Sequence, residues 1–149
     1  MLKKGSYHMP IIDIELITRK IKFINEDLKN LSLFKNCSLS DYLKDDLKKA
    51  AIERILEKII NRIIDINYHI LKEEYETMPE DYYNSFIDLG KKMVIPPSFA
   101  KEIAESTGLR NALAHEYETI DDKKVYESIK IALVQVPKYL KLIVKFLKI

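Results

Sequence analysis

The stretch "AAIERILEKIINRIIDINYHIL", from Ala50 to Leu71, predicts one long amphipathic helix. Its isoleucines and leucines recur at steps of three and four residues, which places them on one face of a helix. The same spacing extends back to Leu43, and no glycine or proline interrupts it. We therefore expect a helix from about Leu43 to Leu71 as one element of an all-α protein.

Four further helices are predicted on either side of this one. One precedes it, with an apolar stripe from Ile11 to Leu31. Three follow it: a short helix with Gly90 as its C-cap, a helix that opens near Ser98, and a last helix running toward Ile149. About five helices joined by short links indicate an up-and-down helical bundle.

Several side chains are suited to mark the ends of these helices. Ser40 or Asp41 is placed to cap the long helix, and Asp121 or Asp122 is placed to cap the last one. Pro137 lies within the last predicted helix. A proline removes one backbone hydrogen bond and clashes with the preceding turn, so we expect it to kink or interrupt that helix.

Length and composition describe one globular domain. Residues 11–149 are expected to form it, preceded by a flexible segment, residues 1–10, in which "GSYHM" resembles a remnant of cloning. The single cysteine, Cys37, excludes an intramolecular disulfide or a CxxC metal site and favours a cytoplasmic protein. No apolar run reaches the roughly 18 residues of a membrane span, so we expect no membrane partner. A net charge of +2 is too balanced to indicate nucleic-acid binding by itself.

The residues best suited to chemistry lie in "RNALAHEY", Arg110 to Tyr117. Arg110 and His115 are five positions apart, which is roughly 140° around a regular helix. One regular helix cannot direct both at one phosphate unless the long side chains reach around or the helix end is distorted. A second copy across a two-fold axis would bring them together, so the spacing favours a dimer. Asn111 lies in line with His115, and Tyr117 lies near the stripe of Arg110.

Arginine and histidine without a metal suit one kind of reaction. Arginine offers a permanent charge and planar donors to phosphate, and histidine exchanges protons near neutral pH. Neither a carboxylate cluster nor a second histidine lies at metal-ligand spacing. The pair fits cleavage of RNA by its own 2′-hydroxyl, which DNA lacks, with His115 handling protons and Arg110 stabilising the phosphorane. Alternatively, Arg110 is an ordinary ion-pair partner of Glu105 or Glu116.

The segment "RNALAHEY" resembles the Arg–four residues–His–any–Tyr motif of the HepT-like toxins, a branch of the HEPN superfamily. Similarity extends to the long-helix stretch, to "MPEDYYNSFIDLGKKMVIP" and to "TIDDKKVYESI", and so covers most of the chain from about Ile11. The resemblance implies an all-α bundle that forms a two-fold dimer with its motif helices facing each other.

The resemblance also implies an activity. The family's members are metal-independent endoribonucleases without a cofactor, and they serve as toxins of two-gene toxin–antitoxin modules. Arg110 and His115 match the catalytic pair, and RNA products are expected to end in 2′,3′-cyclic phosphate. From its position next to Arg110 and in line with His115, Asn111 is the better supporting candidate, either orienting the imidazole or donating to phosphate. Tyr117 matches the position to which the antitoxin, a small MNT-type nucleotidyltransferase, adds AMP.

Other residues and functions leave alternatives open. Asp65 and Arg54 share a face of the long helix, where they either support the site or pair with neighbouring helices. His69 is expected to be structural. A second possible function is a binding module with negligible nuclease activity that serves mainly as partner or substrate of the nucleotidyltransferase. A third is an unrelated structural helical dimer. The intact Arg–His–Tyr set favours the ribonuclease.

Overall fold

A computed structural model describes residues 11–115 and 120–149 of the chain. These residues form seven helices and no strand. The helices are α1 (Ile14–Ser32), α2 (Leu39–Lys44), α3 (Asp46–Tyr75), α4 (Tyr82–Lys91), α5 (Pro97–Ala104), α6 (Ser106–Ala114) and α7 (Asp122–Leu147). The prediction of an all-α protein is therefore confirmed, with two helices more than the five expected.

Helix α3 lies at the centre of the bundle and contains the stretch from which a long helix was predicted. It is 30 residues long, and α1, α2, α4, α6 and α7 all pack against it. Its repeated apolar positions, such as Ile52, Ile59 and Ile66, are fully buried. Burying one such side chain contributes about 1.5–3 kcal/mol, so this stripe holds α3 in the core.

The first additional helix arises from the connector before α3. Residues 39–44 form the separate short helix α2, which is capped by Ser38. The cap of α3 is consequently Asp45, and the prediction of Ser40 or Asp41 is wrong. The predicted cap of α7 is confirmed, because the Asp121 carboxylate accepts bonds from two backbone amides of its first turn.

Gly90 and Pro137 both lie inside helices rather than at their ends. Helix α4 continues past Gly90, where an added Cβ would lie 2.9 Å from the Cβ of Ala100, so the glycine lets α4 and α5 approach closely. Helix α7 runs without interruption through Pro137. Buried Val136 and Tyr139 on either side of this exposed proline hold the helix against the core, and packing outweighs the lost hydrogen bond.

The second additional helix arises because the predicted fourth helix is divided at Glu105 into α5 and α6. The hydroxyls of Ser106 and Thr107 donate to the carbonyls of Ile103 and Ala104 at 2.7 and 2.8 Å. Such bonds from a side chain back to the preceding turn compete with helical hydrogen bonds and bend helices. The "RNALAHEY" segment therefore starts on a separate helix of nine residues.

Candidate active site

An open cleft of about 640 Å³ lies where α6 faces the start of α4 and the last turns of α3. Its lining residues are Tyr68, Glu80, Asp81, Tyr82, Tyr83, Thr107, Arg110, Asn111 and His115. Arg110, Asn111 and His115, which were singled out from the sequence, thus share one cleft.

Arg110 is held from more than one side. Its Nε donates to Oδ1 of Asn61 on α3 at 2.6 Å, and the guanidinium carbon lies 4.8 Å from the ring centre of Tyr82. A longer bond, 3.4 Å, runs from Nη1 to Oδ1 of Asn111. Among the residues that the structure describes, Arg110 forms no ion pair, so the alternative partner Glu105 does not bind it. Its positive charge therefore remains available to an anion in the cleft.

His115 lies at the end of α6 rather than within it. It is the C-cap of the helix, with φ −94° and ψ 2°, and its side chain is exposed. Its amide donates to the carbonyl of Asn111 at 3.2 Å. Arg110 and His115 of one chain both line the cleft.

Tyr117 lies outside the described residues. Helix α6 ends at Ala114, before this segment. Glu116, the other carboxylate considered as a partner of Arg110, also lies outside the described residues.

Asp65 and Arg54 do not line the cleft. Oδ2 of Asp65 lies 3.1 Å from Nζ of Lys20 on α1, and Nη1 of Arg54 lies 3.6 Å from Oε1 of Glu57, one turn along the same helix. Asp65 therefore pairs with a neighbouring helix, whereas the pair of Arg54 lies within α3 itself. His69 accepts a 2.8 Å hydrogen bond through Nε2 from the backbone of Asp13, which ties the start of α1 to α3.

Sequence reasoning missed two side chains that contact Arg110, Asn61 and Tyr82, and a third that lines the cleft, Tyr68. The one available signal for Asn61 was an amide next to the isoleucines of "KIINRII". The Tyr68 and Tyr82 rings meet edge to face, with centres 6.0 Å apart. Burial, together with the negative charges of Tyr82, Asp81 and Asp88, raises the pKa of Tyr68. Tyr68 is therefore a neutral hydroxyl in the cleft at pH 7.

Of the two acidic residues of the cleft, Asp81 forms hydrogen bonds within the protein and Glu80 is exposed. Asp81 is the N-cap of α4, and its Oδ1 accepts bonds from the backbone and side-chain nitrogens of Asn84 at 2.8 and 2.9 Å. Glu80 is exposed.

No group of three His, Cys, Asp or Glu side chains suited to a metal ion occurs within residues 11–115 and 120–149. Across those same ranges, no helix combines the length and apolarity needed to cross a membrane.

Comparison of the sequence with known proteins identifies related ribonucleases. The family model described as "Ribonuclease HepT-like" matches residues 24–143. The tRNA nuclease HepT of Aphanizomenon flos-aquae is 39% identical to this chain over 139 residues, which are 93% of this chain and 95% of that protein. Both matches include the segment from Arg110 to His115.

Comparison of the fold identifies several solved structures with the same architecture, including the following two. The cytosolic protein YutE of Bacillus subtilis superposes with a TM-score of 0.81 at 21% identity, over 94% of each chain. The tri-AMPylated HEPN toxin of Shewanella oneidensis, solved in complex with an MNT antitoxin, superposes with a TM-score of 0.77 at 21% identity, over 86% of this chain and 96% of the toxin. The family model and the relative at 39% identity together establish that this chain belongs to the HepT-like ribonuclease family.

Proposed function

We propose that this protein is a cytoplasmic ribonuclease toxin that cleaves RNA without a metal ion, with Arg110 and His115 as its catalytic residues. The observation that carries this proposal is that both side chains line one cleft, in which Arg110 has no carboxylate partner among the described residues. The relative at 39% identity is named a tRNA nuclease, which supports RNA as the class of substrate.

The chemistry uses the nucleophile that RNA carries. His115 accepts the proton of the ribose 2′-hydroxyl, and the 2′-oxygen forms a bond to phosphorus as the bond to the 5′-oxygen breaks. The departing 5′-oxygen takes up a proton from water. Arg110 donates to the phosphorane oxygens and stabilises the charge that develops on them. The products are a 2′,3′-cyclic phosphate and a 5′-hydroxyl.

The test is digestion of RNA by the purified protein in EDTA, beside His115→Ala. Loss of one general acid–base group commonly lowers the rate by about 10²–10⁴-fold, so His115→Ala should be nearly inactive while remaining folded. His69→Gln is the matched control, because that histidine lies outside the cleft. Cleavage that requires Mg²⁺, or that proceeds on DNA, would contradict the mechanism.

We also infer that an MNT-type nucleotidyltransferase silences the protein by adding AMP to Tyr117. The Arg–His–Tyr motif supports this, as does the fold shared with a HEPN toxin solved as an AMPylated complex with its MNT antitoxin. Tyr117 follows the cleft residue His115 by two positions. A phosphate attached to its oxygen would add negative charge that competes with RNA for Arg110.

The regulatory proposal is tested by incubating the protein with its partner, ATP and Mg²⁺, followed by mass spectrometry and an RNA-cleavage assay. Tyr117→Phe should keep its nuclease activity and gain no adenylyl mass. Tyr83→Phe, which changes a tyrosine of the cleft, should still be modified and silenced. Adenylyl mass on Tyr117→Phe would place the modification elsewhere.

The proposed assembly is a two-fold dimer, with a second copy covering an apolar groove of about 440 Å³ between α3, α5, α6 and α7. Leu109 of α6 lines this groove, and Ile131 on α7 is 51% exposed there. Because Leu109 and Arg110 are neighbours on α6, a copy docked on this groove would bring the two clefts close together.

Light scattering tests the assembly. Wild type should be a dimer, and Ile131→Glu should be a monomer with reduced activity, because a carboxylate would be buried without a partner. Leu33→Glu is the control, since Leu33 is 78% exposed and lies outside the groove. A wild-type monomer that is fully active at nanomolar concentration would contradict the dimer.

A further inference from the structure

We propose that Asn61 is a positioning residue that fixes the orientation of Arg110, an inference whose effect on rate rests on the proposed ribonuclease function. Asn61 lies on α3, remote in sequence from the segment that holds the catalytic residues. Its amide oxygen accepts the Nε–H of Arg110 at 2.6 Å. A bond of that length to a charged donor is in the strong, charge-assisted range.

The bond holds Arg110 from behind the cleft. Arg110 lines the cleft, whereas Asn61 does not. Nε lies at the base of the guanidinium group, so a bond there leaves Nη1 and Nη2, the two nitrogens that present paired donors to phosphate, at the far end. The described residues engage those two nitrogens only through the 3.4 Å contact from Nη1 to Asn111.

A second contact fixes the plane of the same group. The Tyr82 ring lies 4.8 Å from the guanidinium carbon and packs against the guanidinium group. With Asn61 at one edge and Tyr82 beneath, the guanidinium group is restrained before substrate arrives. An arginine that is already oriented loses less side-chain freedom when phosphate binds, which favours binding and reaction.

An amide suits this position better than a carboxylate. A neutral acceptor orients Nε–H without cancelling the positive charge that the phosphate needs, whereas Asp at the same place would compete with substrate for that charge. Asn61 also belongs to the interior of the longest helix, between turns that bury Ile60 and Ile63. A side chain on such an element is placed more accurately than one on a loop.

Kinetics with three variants test the proposal. Asn61→Leu keeps the size of the side chain but removes the acceptor, and kcat should fall about 10- to 100-fold with a smaller change in KM. Asn61→Asp restores an acceptor, so kcat should recover relative to Asn61→Leu while KM for RNA rises. In an Arg110→Lys background, which has no Nε–H, Asn61→Leu should cause no further loss.

Tyr139→Phe is the matched control, because it removes the bond to the other asparagine of α3, Asn67, without contacting Arg110. It should lower stability and leave kcat unchanged. Wild-type kcat in Asn61→Leu, or losses that simply add in the Arg110→Lys background, would overturn the proposal.

Nuclear magnetic resonance gives a readout that does not depend on cleavage. The Nε–H signal of Arg110, assigned by its loss in Arg110→Lys, should be slow to exchange with water in wild type and in Asn61→Asp. In Asn61→Leu it should shift and exchange faster. If wild type cleaves no RNA, the proposed function fails while this signal still decides whether Asn61 holds Arg110. An unchanged signal in Asn61→Leu would show that it does not.

Discussion

Two asparagines of α3, Asn61 and Asn67, use the same amide group in opposite ways. Asn67 is fully buried; its Nδ2 donates to the Ser85 hydroxyl at 3.1 Å, and its Oδ1 accepts the Tyr139 hydroxyl at 2.6 Å. Asn61 is half-buried and holds the side chain of Arg110 at the edge of a cleft. The first amide joins three helices, and the second orients a charge.

The two asparagines differ in whether the polar groups bonded to them are fully hydrogen-bonded inside the protein. The Ser85 hydroxyl also donates to the carbonyl of Tyr82 at 2.7 Å, so the buried network satisfies its members inside the protein. Such a network stabilises a fold because none of its groups is left without a partner. At the cleft, Arg110 is oriented but not neutralised by any described residue. Tyr82 links the two regions, with its backbone in the closed network and its ring against Arg110.

The largest expected effect concerns Arg110 at the cleft. Arg110→Ala should lower kcat/KM for RNA by about 10²–10³-fold, as removal of one group that stabilises transition-state charge commonly does. Thermal unfolding should change little, because Arg110 is only half-buried and has no ion pair among described residues. Cleavage rates and unfolding temperatures measured on the same preparation check both statements. A large drop in the unfolding temperature would make Arg110 part of the scaffold.

The next largest effect concerns the buried hydrogen-bond network of Asn67, Ser85 and Tyr139. Asn67→Leu leaves the Ser85 and Tyr139 hydroxyls without their buried partner, which should lower the free energy of unfolding by about 1–3 kcal/mol. Denaturant titration measures that loss. The protein that remains folded should cleave RNA with the wild-type kcat, since Asn67 does not contact Arg110. Reduced kcat at unchanged stability would remove the distinction between the two asparagines.

A pH dependence should also separate the two regions. Burial raises the pKa of the Tyr139 hydroxyl well above its ordinary value of 10.0. Because the pKa is higher in the folded than in the unfolded state, the contribution of Tyr139 to stability is complete below pH 10 and is lost at higher pH. The slope for one group is about 1.4 kcal/mol per pH unit.

Unfolding measured between neutral pH and pH 11 should therefore show a shallower alkaline loss in Tyr139→Phe than in wild type. Burial also raises the pKa of Tyr68, but that residue is only half-buried at the cleft. Tyr68→Phe should thus change the alkaline slope less. Identical slopes for wild type and Tyr139→Phe would show that the hydroxyl of Tyr139 titrates freely in the folded protein.

The long helices could be predicted from the sequence because burial imposes a regular spacing on apolar residues. That spacing identified α3 and the other long helices, and Asp121 was recognised as a cap because a carboxylate suits a helix start. The motif was recognised by its resemblance to that of a known family. The break at Glu105 could not be read, since it depends on which carbonyls the hydroxyls of Ser106 and Thr107 find in the fold. The sequence also did not predict that α6 ends at Ala114, before His115.

The residues that contact Arg110 could not be predicted from the sequence for another reason. Asn61 is 49 residues away in sequence, and no local pattern indicates which amide of α3 turns toward α6. The two asparagines of α3 lie in similar apolar surroundings in the sequence, yet Asn67 is buried in the core and Asn61 is half-buried and binds Arg110. Spacing likewise could not decide whether Asp65 served the site or paired with Lys20, which only the packing of α1 on α3 determines.

The smallest predicted effect concerns Tyr82, where the two regions meet. A half-exposed contact between a guanidinium and an aromatic ring is worth about 0.5–1 kcal/mol, so Tyr82→Leu should lower kcat/KM about two- to fivefold. Tyr82→Phe keeps the ring face and should retain the wild-type value. Neither variant alters the carbonyl that accepts the Ser85 hydrogen bond, so unfolding temperatures should stay close to that of wild type.

The control for Tyr82 is Tyr75→Leu, which removes a comparable contact from Tyr75 to Lys92, 5.3 Å from the ring centre and outside the cleft. It should leave kcat/KM unchanged, because no group of the cleft touches that ring. Steady-state cleavage of one RNA substrate by all four proteins gives the comparison. If Tyr82→Phe lost as much activity as Tyr82→Leu, the hydroxyl rather than the ring face would serve Arg110, and Asn61 alone would be left to orient the guanidinium.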